Sequence, residues 1–372
     1  MTGNSLIPGA IARLPWRVLS LVIALGAFGL VVLYSAAGGH VRPWAFSQGI
    51  RFVGLLGIAI GLSRLKEDTL KQAAFPMFGV LMALLVAVEL LGVVGGGSRR
   101  WLNLGFINLQ PSELMKPAIV ITLARFYDLL PAGEIRRWNA IWPAAAMIGV
   151  PFGLVVLQPD LGTAVMIAAG GLVVMFLAGL PLRLFIGGIA LVAVAVPAAY
   201  PFLHDYQRNR IETFFDPERD PLGDGYHIIQ SKIAIGSGGI MGKGFLQGTQ
   251  SHLDYLPEGH TDFVFATMAE EWGLFGGLAI IIAFLMLVNW GMRVSLHAQS
   301  RFMRLTAAGL ATTIFFYFAI NLMMVMGLAP VVGIPLPLVS FGGSAMMTIM
   351  LSLGVLMAIA RAERGGSSNN AF

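Results

Sequence analysis

Cysteine is absent from all 372 residues. Disulfides and thiolate chemistry are therefore excluded, and cysteine usage says nothing about the redox compartment. Charge is also scarce: Asp, Glu, Lys and Arg make up 12% of the chain, against about 25% in ordinary soluble domains. Several common chemical signatures are missing. The sequence has no phosphate-binding Walker loop, no zinc-ligand spacing, no dinucleotide-binding glycine pattern and no Ser/His/Asp arrangement, so ATP-driven transport by this chain alone is not expected. It also lacks the alternating strands of about ten residues that build a membrane barrel, and no short-period repeat is visible.

What remains is apolar. Hydrophobic residues are 57% of the chain and the mean hydropathy is +0.79, more apolar surface than a soluble core can use. A bilayer accommodates it, and lipid admits only helices or closed barrels. The expected fold is therefore an all-α integral membrane protein. About ten spans are expected, near 16–36, 43–63, 73–94, 113–130, 139–158, 160–180, 183–203, 262–290, 303–328 and 340–361, each close to the ~20 residues that cross the hydrocarbon. The first run follows Arg13 and Arg17 but is long for a signal peptide, and further apolar runs follow, so it reads as a retained span.

An even number of spans puts both termini on one side. With both inside, 14 of the 24 lysines and arginines fall on that side, and half of the remainder sit in one long loop that the positive-inside rule discounts. The termini are expected to be cytoplasmic. The net charge of +5 belongs to such orientation signals and is not a nucleic-acid footprint.

The long loop, about 204–261 between spans seven and eight, is the most polar region and is expected outside. It is too long for a plain connector. Its middle, Tyr226–Ile235, has the pattern of a short amphipathic helix, and a glycine-rich stretch follows from Gly236 to Gly248. A single domain, 1–372, with a short disordered tail at 365–372 completes the expected organisation.

Five places carry candidate chemistry. Asp262 opens an apolar run, where an acid persists only if paired, hydrated or used. It reads either as a general base or as a first-turn or capping acid favoured by the helix dipole. Glu258 and His260 lie just before it, and a loop histidine is more often merely solvated than a relay. Glu270 and Glu271 lie within the span and read as buried acids bonded to neighbouring helices. Around Gln110–Pro117, Ser112 is a plausible N-cap with Pro111 just outside the helix. Glu113 and Lys116 are three residues apart and can pair, while Arg100 and Lys116 can alternatively hold an anionic head group. Asp160 reads as an N-cap or as a counter-charge to a cation. Finally, Pro330, Pro335 and Pro337 forbid a regular helix across Gly327–Ser344, which suggests a re-entrant segment lining a groove.

Read together, QPSELMKP at 110–117, QPDLGTA at 158–164, DPLGDGYHIIQSKIAIGSGG at 220–239, GKGFLQGTQSHLDYLPEGHTDFVFATMAEEWG at 242–273 and PVVGIPLPLVSFGGSA at 330–345 resemble the SEDS family (shape, elongation, division and sporulation). The resemblance covers nearly the whole chain and is nearer to the family's elongation member than to its division or sporulation members. It implies a peptidoglycan glycosyltransferase of the bacterial inner membrane that joins lipid II into β-1,4-linked strands with inversion. It places the family's essential loop aspartate at Asp262. It also matches Arg100, Glu113, Lys116 and Asp160 to polar motif positions of less certain role.

In that chemistry Asp262 deprotonates the acceptor hydroxyl. Arg100 and Lys116, ahead of Lys232 and Lys243, stabilise the leaving lipid pyrophosphate, with Mg²⁺ as a candidate divalent ion and no organic cofactor. Glu258 and His260 complete the expected substrate-binding set. The implied partners are a class B penicillin-binding protein, with MreC and MreD, in a membrane setting and without nucleic acid. The rival readings are a lipid II flippase and a noncatalytic scaffold for a cell-wall synthase.

Overall fold

The computed structural model describes residues 14–95, 98–103, 108–202, 205–219, 223–253 and 255–367. Arg13, Gly96, Gly97, Asp220 and the end of the expected tail, 368–372, lie outside the described residues.

The chain is predominantly helical. The helices are α1 (Trp16–Ala36), α2 (Trp44–Leu62), α3 (Glu67–Leu91), α4 (Pro111–Leu129), α5 (Trp138–Leu157), α6 (Leu161–Ala178), α7 (Leu182–Ala199), α8 (Asp205–Phe215), α9 (Asp224–Gly238), α10 (Thr249–His252), α11 (Val264–His297), α12 (Arg301–Val325) and α13 (Gly343–Ser367). Among the described residues, eight are long and apolar enough to cross a membrane: α1, α2, α3, α5, α6, α11, α12 and α13.

The other two expected spans coincide with helices of different character. α4 carries Glu113, Lys116, Arg125 and Asp128. Most of it is buried, because it packs against α3, α5, α6, α12 and α13. Other helices take the place of lipid around it, so its polar groups meet protein instead of hydrocarbon. α7 is the opposite case. Its apolar stretch, Leu182–Ala195, is short, and its large side chains are exposed: Ile189, Leu191 and Val194 are each about 70% accessible.

Two departures from the expected all-helical picture bear on the site. A small antiparallel sheet, order β1-β2-β3, joins α3 to α4. Its strands are β1 (Val93–Gly95), β2 (Ser98–Asn103) and β3 (Asn108–Leu109). Val93 pairs with Trp101, and Leu102 with Leu109. The second departure is in α11, which has 34 residues and so a length of roughly 50 Å, well beyond the ~30 Å hydrocarbon core. It is broken at Gly273, where φ is 62° and ψ is −159°.

The amphipathic segment expected at 226–235 is α9. The proline-rich stretch after α12 is irregular from Gly327 to Gly342, as its three prolines require. It folds into the protein: Ile334, Leu336, Leu338 and Val339 are buried. Gly29 of α1 lies so close to Val339 that a Cβ there would sit 2.6 Å from its Cα.

Candidate active site

Asp262 sits in the turn that leads into α11, two residues before its first residue, Val264. Phe263 holds the N-cap position and makes no side-chain cap, so Asp262 is not the capping acid that one sequence reading allowed. Asp262 is half-buried. Three elements hold its turn. The Asn321 amide of α12 donates to the Asp262 carbonyl at 2.8 Å and to the Ile334 carbonyl at 2.7 Å, tying the turn to the irregular segment. His227 of α9 stacks on the neighbouring Phe263 ring, 5.6 Å between centroids. Gly333, at φ +69°, faces the carboxylate: a Cβ there would lie 3.4 Å from Asp262 Oδ2. A left-handed residue this near a carboxylate favours glycine twice, for its backbone angle and for its missing side chain.

His260 is stacked flat on Trp44 of α2, 4.0 Å between centroids. Its carbonyl accepts from Phe341 N at 2.9 Å. Burial pulls the imidazole below its ordinary value of 6.5, against an opposing pull from Glu258, so the ring is neutral at neutral pH. Glu258 is exposed and accepts from the Thr261 hydroxyl at 2.5 Å. These contacts make Glu258 and His260 parts of the turn that presents Asp262.

The polar motif at 110–117 forms a closed network inside the bundle. Lys116 Nζ donates to Glu113 Oε1 at 2.6 Å and to the Tyr317 hydroxyl at 2.9 Å. Tyr317 in turn donates to Glu113 Oε2, and Thr348 donates to the Glu113 carbonyl at 3.0 Å. Lys116 is 1% exposed. The pairing reading describes this lysine; as a ligand for a head group it would have to leave Glu113 buried and uncompensated. The helix begins two residues earlier than expected, with Pro111 as its first residue and no side-chain cap. Proline suits that position, because its missing N–H has no partner to lose there, so Ser112 is not the N-cap.

Asp160 is the N-cap of α6. Its carboxylate accepts from Thr163 N at 3.1 Å and from Gln110 Nε2 at 3.1 Å. Arg100 reaches the same corner from β2. It donates to the carbonyls of Gln158, at 3.3 Å, and Pro159, and its Nη1 stands 3.9 Å from Asp160 Oδ2. Capping and charge balance therefore hold together at Asp160. This corner and Asp262 flank two consecutive residues, Val332 and Gly333. A Cβ on Gly162 would be 2.9 Å from the Val332 carbonyl, while Gly333 faces Asp262.

The two loop lysines part company. Lys243 pairs with Glu270 Oε1 at 2.6 Å and does not stand with the Asp262 turn. Lys232 is exposed on α9, and its side chain crosses Gly327 at the end of α12. Of the two span acids, Glu271 meets a neighbouring helix as expected, accepting from Ser35 of α1 at 2.5 Å. Glu270 does not. Its partners are Lys243, Thr249 and Gln250 of the polar loop, because the loop folds down onto the helix.

Tyr317, Asn321, Thr348 and Gly333 were not singled out from sequence. The available signal was Tyr317 and Asn321 at i and i+4 in an apolar helix, and so on one face. That face of α12 holds the Glu113–Lys116 pair at one position and the Asp262 turn at the next. Among the described residues, no group of three or more His, Asp or Glu side chains is arranged to hold a metal ion.

This is a polytopic membrane protein with its polar chemistry gathered where an irregular re-entrant segment meets a long loop. Residues 14–365 match the family model described as "Cell cycle protein", FTSW_RODA_SPOVE, and the chain belongs to that family. It is 43% identical over 345 residues to the peptidoglycan glycosyltransferase MrdB of Escherichia coli K12, covering 92% of each chain. It is 36% identical to the probable peptidoglycan glycosyltransferase FtsW of Trichlorobacter lovleyi, covering 95% of this chain and 94% of that one. Among solved structures, it superimposes with a TM-score of 0.80 and 35% identity on a chain of a peptidoglycan synthase complex that coordinates polymerization and crosslinking, covering 94% of this chain and 98% of that one. It superimposes with a TM-score of 0.70 and 28% identity on the rod shape determining protein RodA of Thermus thermophilus, covering 94% and 97%.

Proposed function

We infer that this chain is a peptidoglycan glycosyltransferase that polymerises lipid II during cell elongation, with Asp262 as its general base. The observation that carries this reading is the placement of Asp262. A half-buried carboxylate is held by α12, α9 and the re-entrant segment at the boundary between an apolar bundle and a polar loop. A substrate with a polyprenyl tail in the membrane and a disaccharide outside it matches such a boundary.

In the reaction Asp262 accepts the proton of the acceptor GlcNAc 4-hydroxyl. That oxygen forms a bond to the anomeric carbon of the growing strand. The bond from that carbon to the lipid pyrophosphate breaks, and the pyrophosphate leaves with the electron pair. Inversion at the anomeric carbon gives the β-1,4 linkage in one displacement. Of the four cations considered, Lys116 and Lys243 are committed to Glu113 and Glu270. Arg100 and Lys232 retain accessible surface and supply positive charge toward the pyrophosphate. A divalent ion such as Mg²⁺ would arrive with the pyrophosphate.

The same reading puts ten helices across the inner membrane, both termini in the cytoplasm and Asp262 on the periplasmic side. It makes a class B penicillin-binding protein the crosslinking partner, with MreC and MreD as further associates. The likeness to a chain of a complex that couples polymerization to crosslinking supports the first of these.

Purified chain in vesicles, given lipid II, tests the reading. Glycan polymer with release of the pyrophosphate lipid is the expected result. Movement of lipid II between leaflets without polymer would make the chain a transporter, and neither activity would leave a scaffold.

A further inference from the structure

Glu270 is fully buried in α11, two helical turns beyond Asp262, and has no part in the reaction above. Its carboxylate nevertheless gathers donors from one stretch of the polar loop. Lys243 Nζ lies at 2.6 Å, Thr249 N at 2.9 Å, Gln250 N at 3.0 Å and the Thr249 hydroxyl at 3.1 Å.

The backbone around it is joined to the same stretch. In an unbroken helix the Glu270 and Glu271 carbonyls accept from residues 274 and 275. With the break at Gly273, the Glu270 carbonyl accepts from Lys243 N at 2.9 Å and the Glu271 carbonyl from Gly244 N at 3.0 Å. The freed Leu274 N donates to the Gly239 carbonyl at 3.0 Å. The approach requires glycine on both sides. A Cβ on Gly238 or Gly242 would lie 2.1 Å from a carbonyl oxygen of α11, and one on Gly273 would lie 2.4 Å from Gly242 N.

The chain then returns to the start of the same helix. Leu256 N donates to the Gln250 carbonyl at 3.0 Å, and Thr267 of α11 donates to the Gly259 carbonyl at 2.9 Å. The connection from Gln250 to Asp262 is thus a bracket with both ends on one helix, its far contact at Glu270 lying about 9 Å along the axis from the first helical residue, Val264.

We propose that Glu270 is a positioning residue for Asp262: by seating the loop at Thr249 and Gln250 it fixes the far foot of the bracket whose near end carries the general base. The proposal rests on the reading of Asp262 given above. A displacement of about 1 Å in a reacting group lowers a rate by about 10²-fold.

The test compares Glu270→Leu and Lys243→Met with wild type, in the full chain in vesicles. Lipid II polymerisation is measured together with amide hydrogen exchange of 249–261. For Glu270→Leu, which removes the acceptor of all four contacts, kcat is expected to fall by about 10²-fold, with KM within about twofold of wild type and faster exchange confined to the bracket. Lys243→Met, which leaves the two backbone donors in place, should shift both readouts the same way by less.

The proposal is overturned if kcat and exchange stay at wild-type values. A rise in KM alone would overturn it too, making Glu270 a substrate ligand. So would faster exchange throughout the bundle in the lysine variant, which would make the contact a general structural one. The exchange arm is read even from a chain that makes no polymer, so failure of the bracket and failure of the enzymatic reading remain distinct.

Discussion

Two acids of this chain sit at the same end of the bundle and differ in almost everything else. Glu113 is buried, paired with Lys116 at 2.6 Å and hydrogen-bonded by Tyr317 and Thr348. Asp262 is half-buried in a turn whose backbone is tied to α12 through the Asn321 amide. In a low-dielectric interior a charge surrounded by donors joins helices and does little else, because moving it exposes an uncompensated partner. A charge at the edge of the bundle, on a well-held backbone, is placed to meet a substrate. Position within a membrane protein separates an architectural acid from a chemical one more sharply than residue type does.

The contrast can be broken first at the architectural end. Lys116→Met leaves Glu113 buried without its cation. It should lower stability by about 3–5 kcal/mol, seen as a fall in thermal midpoint in detergent, and the double variant Glu113→Gln/Lys116→Met should recover most of it. Asn321→Ala removes the amide shared by the two sites. It frees the Asp262 and Ile334 carbonyls, with an expected loss of about 1–3 kcal/mol and a polymerisation rate reduced more than the stability alone explains.

Gly333→Ala should cost about 1–2 kcal/mol for its left-handed backbone. It should also reduce kcat by several-fold by crowding Asp262, with lipid II binding little changed in a vesicle-binding assay.

The smallest effect concerns His260. Its folded pKa lies below the ordinary 6.5 because of burial. The unfolded chain therefore binds the proton first, and the stability contributed by the neutral ring is present above about pH 6.5 and lost as pH falls below it. His260→Gln should flatten that acid-side fall in the midpoint.

Much of the site was legible because its signals are local. Asp262 is conspicuous as an acid opening an apolar run, and Asp160 takes the cap that its place before Leu161 implies. Glu113 and Lys116 pair as their three-residue spacing allows. Prolines alone identify the irregular segment after α12.

What escaped depends on distant partners. The donors to Glu270 lie 20 to 27 residues away, across a glycine contact that no periodicity records. The helix break at Gly273 is stabilised by that same contact, so a glycine inside an apolar run gave no warning of it. The strands β1 to β3 are two to six residues long, too short and glycine-flanked to register as alternation. The burial of Lys116 is equally illegible locally, because it comes from helices distant in the chain, among them α12 with Tyr317.

The measurement that bears most directly on the central claim is the polymerisation rate of Asp262→Asn in vesicles, with lipid II binding and thermal midpoint measured on the same preparation. The account predicts a rate lower by roughly 10²–10⁴-fold, with binding and midpoint near those of wild type. A folded, lipid-binding Asp262→Asn chain that extends glycan at the wild-type rate would contradict it.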